Sequence, residues 1–226
     1  MLIMKENNYE PQTLNDIIFG NFESKLRIYD IVTGAQALPR SGKSGIILYG
    51  AWGTGKTTVA KMLPNAIERG KTKEDLCISE EFIKCQQGFN GPQVIDLISK
   101  ILIRQSLNAS GLHYIILDEV DQLTASAQQS LKSTMNARHC IFVLTTNYIS
   151  EIDRGILDRC VLVEMNAASN EQLLEYAEHI VNDQDAKMTK DELLPTIKAA
   201  NGSFRNLTQN IERLIRRKSM PVDIIF

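Results

Sequence analysis

The stretch GAWGTGKT, Gly50 to Thr57, constrains this chain more than any other part of it. It fits the pattern GxxxxGK[ST] and lies between an apolar, β-rich run, Ser44 to Leu48, and the segment KTTVAKMLPNAIERG, which suits a helix ending near Gly70. A strand, a glycine turn and a helix in that order make a phosphate cradle. The glycines let backbone N–H groups wrap the phosphates, and the helix N-terminus adds its positive dipole. The pattern therefore implies nucleotide binding, with Lys56 on the terminal phosphates and Thr57 as a ligand for Mg²⁺. Gly50, Ala51, Trp52, Gly53, Thr54, Gly55 and Thr58 complete the segment, and Trp52, the sole tryptophan, offers a built-in reporter of binding.

The runs YIILDE at 114–119 and CIFVLTTN at 140–147 are continuously apolar and end in polar residues, as buried parallel strands do. FIKC at 82–85 reads as a short strand, QQGFNGPQ at 86–93 as a loop, and residues 125–136 as a helix. Val94, Ile95, Ile98, Ile101 and Leu102 recur at helical spacing, with Lys100 and Arg104 on the polar side. Strands alternating with helices predict an α/β domain with a parallel sheet flanked by helices, whose ligands bind beyond the carboxyl ends of the strands. Near Ala167 the composition changes. Ser169 with Gln172 and Thr189 with Glu192 match the capping-box spacing, and Leu207, Ile211, Leu214 and Ile215 line one face of a further helix. The expected organisation is thus an α/β nucleotide-binding domain over 1–166 and a small helical lid over 167–226.

Composition excludes other classes. Hydrophobic residues at 43% and charged residues at 23% suit a globular core. With 25 Lys plus Arg against 27 Asp plus Glu, the chain lacks the basic excess of a nucleic-acid coat, although a local basic face is compatible with it. The apolar runs are far shorter than the roughly 20 residues of a membrane helix. The start MLIMKENNYE carries no secretory pattern, so a cytoplasmic location is expected. Cys77, Cys85, Cys140 and Cys160 form no CxxC pair, which predicts reduced, buried thiols rather than a zinc or redox site.

Asp118 and Glu119 end a buried strand about sixty residues after the glycine turn. An aspartate there can hold Mg²⁺, and a glutamate can polarise an attacking water, which implies hydrolysis beyond binding. Asn147, ending the next strand, can orient the same water, though a lone Asn at a strand end is also a common turn former. Arg159 in LDRC and Arg205 in GSFRN are suited to stabilising a transferring phosphoryl group, or equally to a surface ion pair.

The ordered set YEPQTLNDIIFGN, GAWGTGKTT, IILDEVDQLTASAQQSLKSTMN, FVLTTN, ILDRC and GSFRNL resembles the AAA+ ATPases, and among them the small subunits of sliding-clamp loaders such as replication factor C and phage clamp loaders. The resemblance covers about residues 9–217. It implies ATP as the nucleotide, Tyr9 and Pro11 near the adenine, Asn147 as the sensor-1 residue, Arg205 as the sensor-2 residue, and Arg159 as a finger reaching the ATP of a neighbouring subunit. It also implies a ring or spiral of the same or homologous subunits, DNA as a partner through Lys84, Lys100, Arg104 and Lys132, and a sliding clamp as a further partner. A few such charges per subunit, repeated around a ring, would add salt-sensitive phosphate contacts. Arg213, Arg216, Arg217 and Lys218 form a second basic cluster, read as lid surface or a subunit contact.

The chain departs from that pattern in places. The usual Ser-Arg-Cys reads Asp158, Arg159, Cys160, the usual GPPGTGKT reads GAWGTGKT, and the collar domain of clamp-loader subunits is expected to be missing after Phe226. A helicase loader, a DNA-coating transposition regulator and an ATP-gated assembly scaffold therefore stay open as alternatives. The tail MPVDIIF is reminiscent of the peptides that dock into clamps, and is also what an apolar terminus folding onto its own lid would look like.

Overall fold

The computed structural model describes Tyr9 and residues 11–74, 77–87 and 90–219; the tail at 220–226 lies outside them. Two compact units result. One comprises Asn21–Gly50 and Lys56–Met165; the other comprises Ala51–Gly55 with the described residues of Met1–Gly20 and Asn166–Phe226. The sequence draws a single cut at 166/167. Contacts instead place the N-terminal segment with the lid helices, because Tyr9 is buried in their core.

The larger unit runs α1 (Phe22–Thr33), β1 (Gly45–Tyr49), α2 (Lys56–Thr72), β2 (Glu80–Lys84), α3 (Gly91–Leu102), β3 (His113–Asp118), α4 (Ala125–Thr134), β4 (Cys140–Thr146), α5 (Arg154–Asp158) and β5 (Cys160–Glu164). Its five strands are all parallel, in the order β2-β3-β4-β1-β5. This is the expected fold class. β3 and β4 are buried along their whole length, since helices cover both faces, and that explains their unbroken apolar sequence. Ile47, Ile115, Leu117, Phe142 and Leu144 pack on one side against Val94 and Ile98 of α3 and Ala127 and Leu131 of α4. On the other side α2 packs across β1, β3 and β4, and α1 against α2 and β5.

Three elements, α1, α5 and β5, escaped the sequence reading. α1 is bounded by Asn21, whose side chain accepts from Ser24 N–H, and by Gly34 in the left-handed region, so its stop signals were present. β5 forms the sheet's second edge. That edge is closed by α1, where Arg27 donates to the Leu162 carbonyl and Ser24 to the Glu164 carbonyl. α3 also starts earlier than its apolar stripe suggests, because Asn90 and Gln93 form a capping box at its N-terminus.

The smaller unit contains α6 (Asn170–Asp183), α7 (Lys190–Ala200) and α8 (Phe204–Ser219). Ser169 and Gln172 cap α6 reciprocally, and Thr189 N–H donates to Glu192 before α7, both where the spacing predicts. Leu173, Ala177, Ile180, Leu193, Ile197, Leu207, Ile211 and Ile215 form its core, and the Tyr9 ring fills one side of it.

Candidate functional site

β1 ends at Tyr49 and the chain turns through Gly50, at φ 142, where a Cβ would stand 2.5 Å from the Met165 carbonyl oxygen. Only glycine lets the loop leave the strand so close to the chain after β5. Lys56 begins α2, is buried, and donates to the Gly50 carbonyl at 3.0 Å. Thr57 follows, and its hydroxyl donates to Asp118 Oδ1 at 2.8 Å. Thr58 lies one residue further along the same turn.

The parallel register explains that meeting. β3 and β4 carry Asp118 and Thr145 to the same carboxyl edge that β1 reaches before the loop, so residues 61 positions apart converge. Thr145 donates to Asp118 Oδ1 at 2.7 Å and accepts from Glu119 N–H at 3.0 Å. Sequence reasoning missed this threonine, whose hydroxyl at a strand end was the available signal. Glu119 has φ 61 and ψ 52, a left-handed conformation rare outside glycine, asparagine and aspartate, and costly enough to persist only where its surroundings hold it. Thr145 supplies that hold. The Glu119 carboxylate then stands at the surface, 3.8 Å from the Lys84 ammonium at the end of β2.

Asn147 follows β4, with its N–H on Asp121 Oδ1 at 3.3 Å; the Thr146 hydroxyl shares that oxygen at 2.6 Å. Asp121 is a second residue the sequence did not single out, and it fixes the turn after β4 relative to the acidic pair. Thr57 and Asp118 present two oxygen donors in contact, which fits Mg²⁺, an ion that takes one or two protein oxygens and fills its octahedron from phosphates and water. Among the described residues no larger cluster of metal-ligating side chains occurs.

Within the smaller unit, Phe204 N–H at the start of α8 donates to the Gly53 carbonyl at 3.0 Å, and a Cβ on Gly53 would collide with the Ser203 hydroxyl. Arg205, the next residue, is exposed. Thr54 is buried and donates to the Ala51 carbonyl at 3.0 Å, while Trp52 is 60% exposed. Tyr9, expected near the adenine, has its ring 5% exposed among the lid helices, and its hydroxyl donates to Glu212. Burial first, and then the Glu212 carboxylate, push the Tyr9 phenol well above its ordinary range. Pro11 is the more accessible of the two.

Arg159 lies elsewhere. It caps α5, and its carbonyl accepts from Ser44 and Gly45 N–H at 3.0 Å each, at the amino end of β1. The acidic pair occupies the opposite, carboxyl edge of the sheet. Its guanidinium donates to Asn136 Oδ1 and the Gly155 carbonyl. The basic residues expected on DNA are dispersed: Lys84 faces Glu119, Lys100 pairs with Asp96 at 2.7 Å, and Arg104 is exposed beyond α3. Lys132 is half-buried on Asp153 at 3.3 Å, with its stem against Gly155, so it joins α4 to α5. The four cysteines are free and buried. No described helix is long and apolar enough to cross a membrane.

This fold and loop define a P-loop nucleotide-binding chain. The model for the ATPase family associated with various cellular activities (AAA) matches residues 46–167, more than half of the sequence, and the chain belongs to that family. It is similar to a replication factor C small subunit of Haloarcula marismortui, 28% identical over 210 residues, covering 90% of this chain and 60% of that protein. It is also similar to replication factor C subunit 4 of Saccharomyces cerevisiae, 29% identical, covering 92% and 62%. The chain thus spans about 60% of the length of these relatives. In fold it is similar to the RuvB Holliday junction branch migration motor of Thermotoga maritima, with TM-score 0.70 and 14% identity over 91% of this chain and 65% of that one.

Proposed function

We propose that the chain is an ATP-hydrolysing subunit of a clamp-loader-like assembly that acts on DNA in replication inside the cell, with a sliding clamp as its partner. The observation that carries this reading is the split of the machinery: Thr57, Asp118 and Glu119 gather at one edge of the sheet, and Arg159 stands at the other. Such an arginine serves a nucleotide held by another chain.

Lys56 and the loop N–H groups hold the phosphates, and Thr57 with Asp118 would hold Mg²⁺, which when bound neutralises charge on the terminal phosphates. Glu119 orients a water and draws its proton as the water oxygen bonds to the γ-phosphorus and the bridging oxygen departs. Asn147 stands ready to hold that water, and Arg205 to contact the departing phosphate. Arg159 of a neighbouring chain stabilises the charge of the transferring group, an effect on the order of 10³ to 10⁵ in rate.

Lys84 links this chemistry to DNA. Its pair with Glu119 is long at 3.8 Å and largely exposed, so it contributes about 0–1 kcal/mol and is easily exchanged for a DNA phosphate. While paired, it competes with water for the carboxylate; on DNA, it frees it. Lys100 and Arg104 would add backbone contacts, and the salt bridge to Asp153 leaves Lys132 a structural part.

The test is the mass of the assembly formed with a non-hydrolysed ATP analogue and primed DNA, with and without candidate clamps, alongside ATPase rate against protein concentration. A DNA-bound assembly that takes up a clamp, and a specific activity that climbs steeply with concentration, are expected. A rate per chain independent of concentration, or a filament along DNA indifferent to any clamp, overturns the proposal.

A further inference from the structure

An arginine acting across a seam must keep both its direction and its charge, and an exposed arginine readily loses either: its stem has many rotamers, and any nearby carboxylate neutralises it. Arg159 avoids both fates. Nε–H donates to Asn136 Oδ1 at 3.2 Å, and Nη1–H donates to the Gly155 carbonyl at 2.9 Å. Both acceptors are neutral amides. Two of the five N–H donors are used, and Nη2 with one hydrogen of Nη1 remains for an anion.

Asn136 is itself held. Its Nδ2 donates to the Ser133 carbonyl at 3.1 Å, which orients the amide: a flipped side chain would set carbonyl against carbonyl on one side and donor against donor at Arg159. The platform beneath is tied together as well. Gln128, buried in the middle of α4, donates to the Glu151 carbonyl at 3.1 Å and accepts from Asp153 N–H at 2.7 Å, and Lys132 pairs with Asp153. The two acceptors on Arg159 therefore come from the turn just after α4 and from α5, and these contacts join the two helices. α4 begins six residues after Glu119 and ends two residues before Asn136, so it spans most of the chain between the acidic pair and the partner of the arginine.

We infer that Asn136 is a positioning residue for Arg159: its amide oxygen fixes one edge of the guanidinium on the α4–α5 platform and leaves Nη2 for the triphosphate of a neighbouring chain, with the charge unspent. The inference rests on the trans role proposed above for Arg159. A carboxylate at this place would hold the arginine more tightly and disarm it; an apolar residue would leave the charge and lose the aim. Displacement by about 1 Å can cost about 10²-fold in rate, which sets the scale.

The experiment compares the full chain with Asn136→Ala, Asn136→Asp, Arg159→Ala and the double Asn136→Ala/Arg159→Ala variant. It reads kcat of the DNA-bound assembly at saturating ATP, and the affinity of each isolated chain for an ATP analogue by Trp52 fluorescence. Both Asn136 variants should lose about 10- to 100-fold in kcat with nucleotide affinity unchanged, and the double variant should be no slower than Arg159→Ala. A wild-type kcat in both Asn136 variants with Arg159→Ala inactive overturns this inference alone, as do losses that multiply in the double variant. If Arg159→Ala keeps the wild-type rate, the trans reading fails and takes this inference with it. The aspartate keeps the test decisive should the alanine variant fold poorly.

Discussion

Mixing two disabled chains gives the most direct measure of how the machinery is divided. Arg159 anchors at the amino end of β1, whereas Lys56 and Thr57 follow its carboxyl end. Five strand residues at about 3.3 Å each separate the two ends by roughly 16 Å, more than an arginine side chain can span. A chain with Arg159→Ala keeps a complete phosphate loop but donates no guanidinium; a chain with Lys56→Ala donates one but holds its phosphates poorly. Each alone should lose on the order of 10³-fold or more. In an equal, random head-to-tail mixture, a seam works when the loop comes from the first variant and the arginine from the second. That is one half times one half, or about one quarter of the seams. ATPase rate across a titration of one variant with the other should therefore peak near equal ratio at about a quarter of the wild-type value. A mixture whose mass proves co-assembly, yet whose rate is only the sum of its parts, would refute the division.

Replacing Lys84 by Ala should raise the DNA-free ATPase rate several-fold and shrink the stimulation by primed DNA, because Glu119 loses its competitor; a fall in the DNA-free rate would contradict that role. Glu68 is fully buried in α2 and accepts from Tyr114 OH at 2.9 Å, Ser110 OH at 2.7 Å and Ser110 N–H at 2.8 Å. Its change to Gln, which turns one of those acceptors into a donor, should cost about 1–3 kcal/mol by denaturant titration, and a loss below about 0.5 kcal/mol would show that the cluster relaxes freely. Burial, ahead of the Asp118, Asp121 and Glu119 charges, pushes the Cys85 thiol up to about 12; burial likewise pushes Cys77 and Cys160 up to about 12 and raises Cys140. At pH 8 these thiols are neutral and enclosed, so a thiol reagent should modify the folded protein only as fast as it opens; a rapid stoichiometric phase would be inconsistent with that.

The parts read from sequence share a property: each is specified by a few neighbouring residues. The glycine turn needs Gly50 and Gly53 at positive φ, the buried strands need unbroken apolar runs, and the caps of α6 and α7 need a hydroxyl and an amide or acid three residues apart. β5 escaped because five residues on a sheet edge, with Leu162 half-buried and Glu164 exposed, leave a weak pattern. The packing of the Tyr9 ring in the lid core was likewise illegible, since the short string YEP carries no hydrophobic periodicity that would tie it to helices more than 150 residues away.

From its sequence alone this protein is committed to an α/β sheet with a phosphate loop, an acidic pair at a strand end and a capped helical lid, because local geometry and hydrophobic patterning act over a handful of residues. Only the packed sheet decided the rest: that Thr145 joins Thr57 on Asp118, that Lys84 faces Glu119, that Lys132 pairs with Asp153 before α5, and that Arg159 donates to Asn136. Those pairings join residues tens of positions apart, and their partners are set by strand order and register, which no local run of side chains encodes.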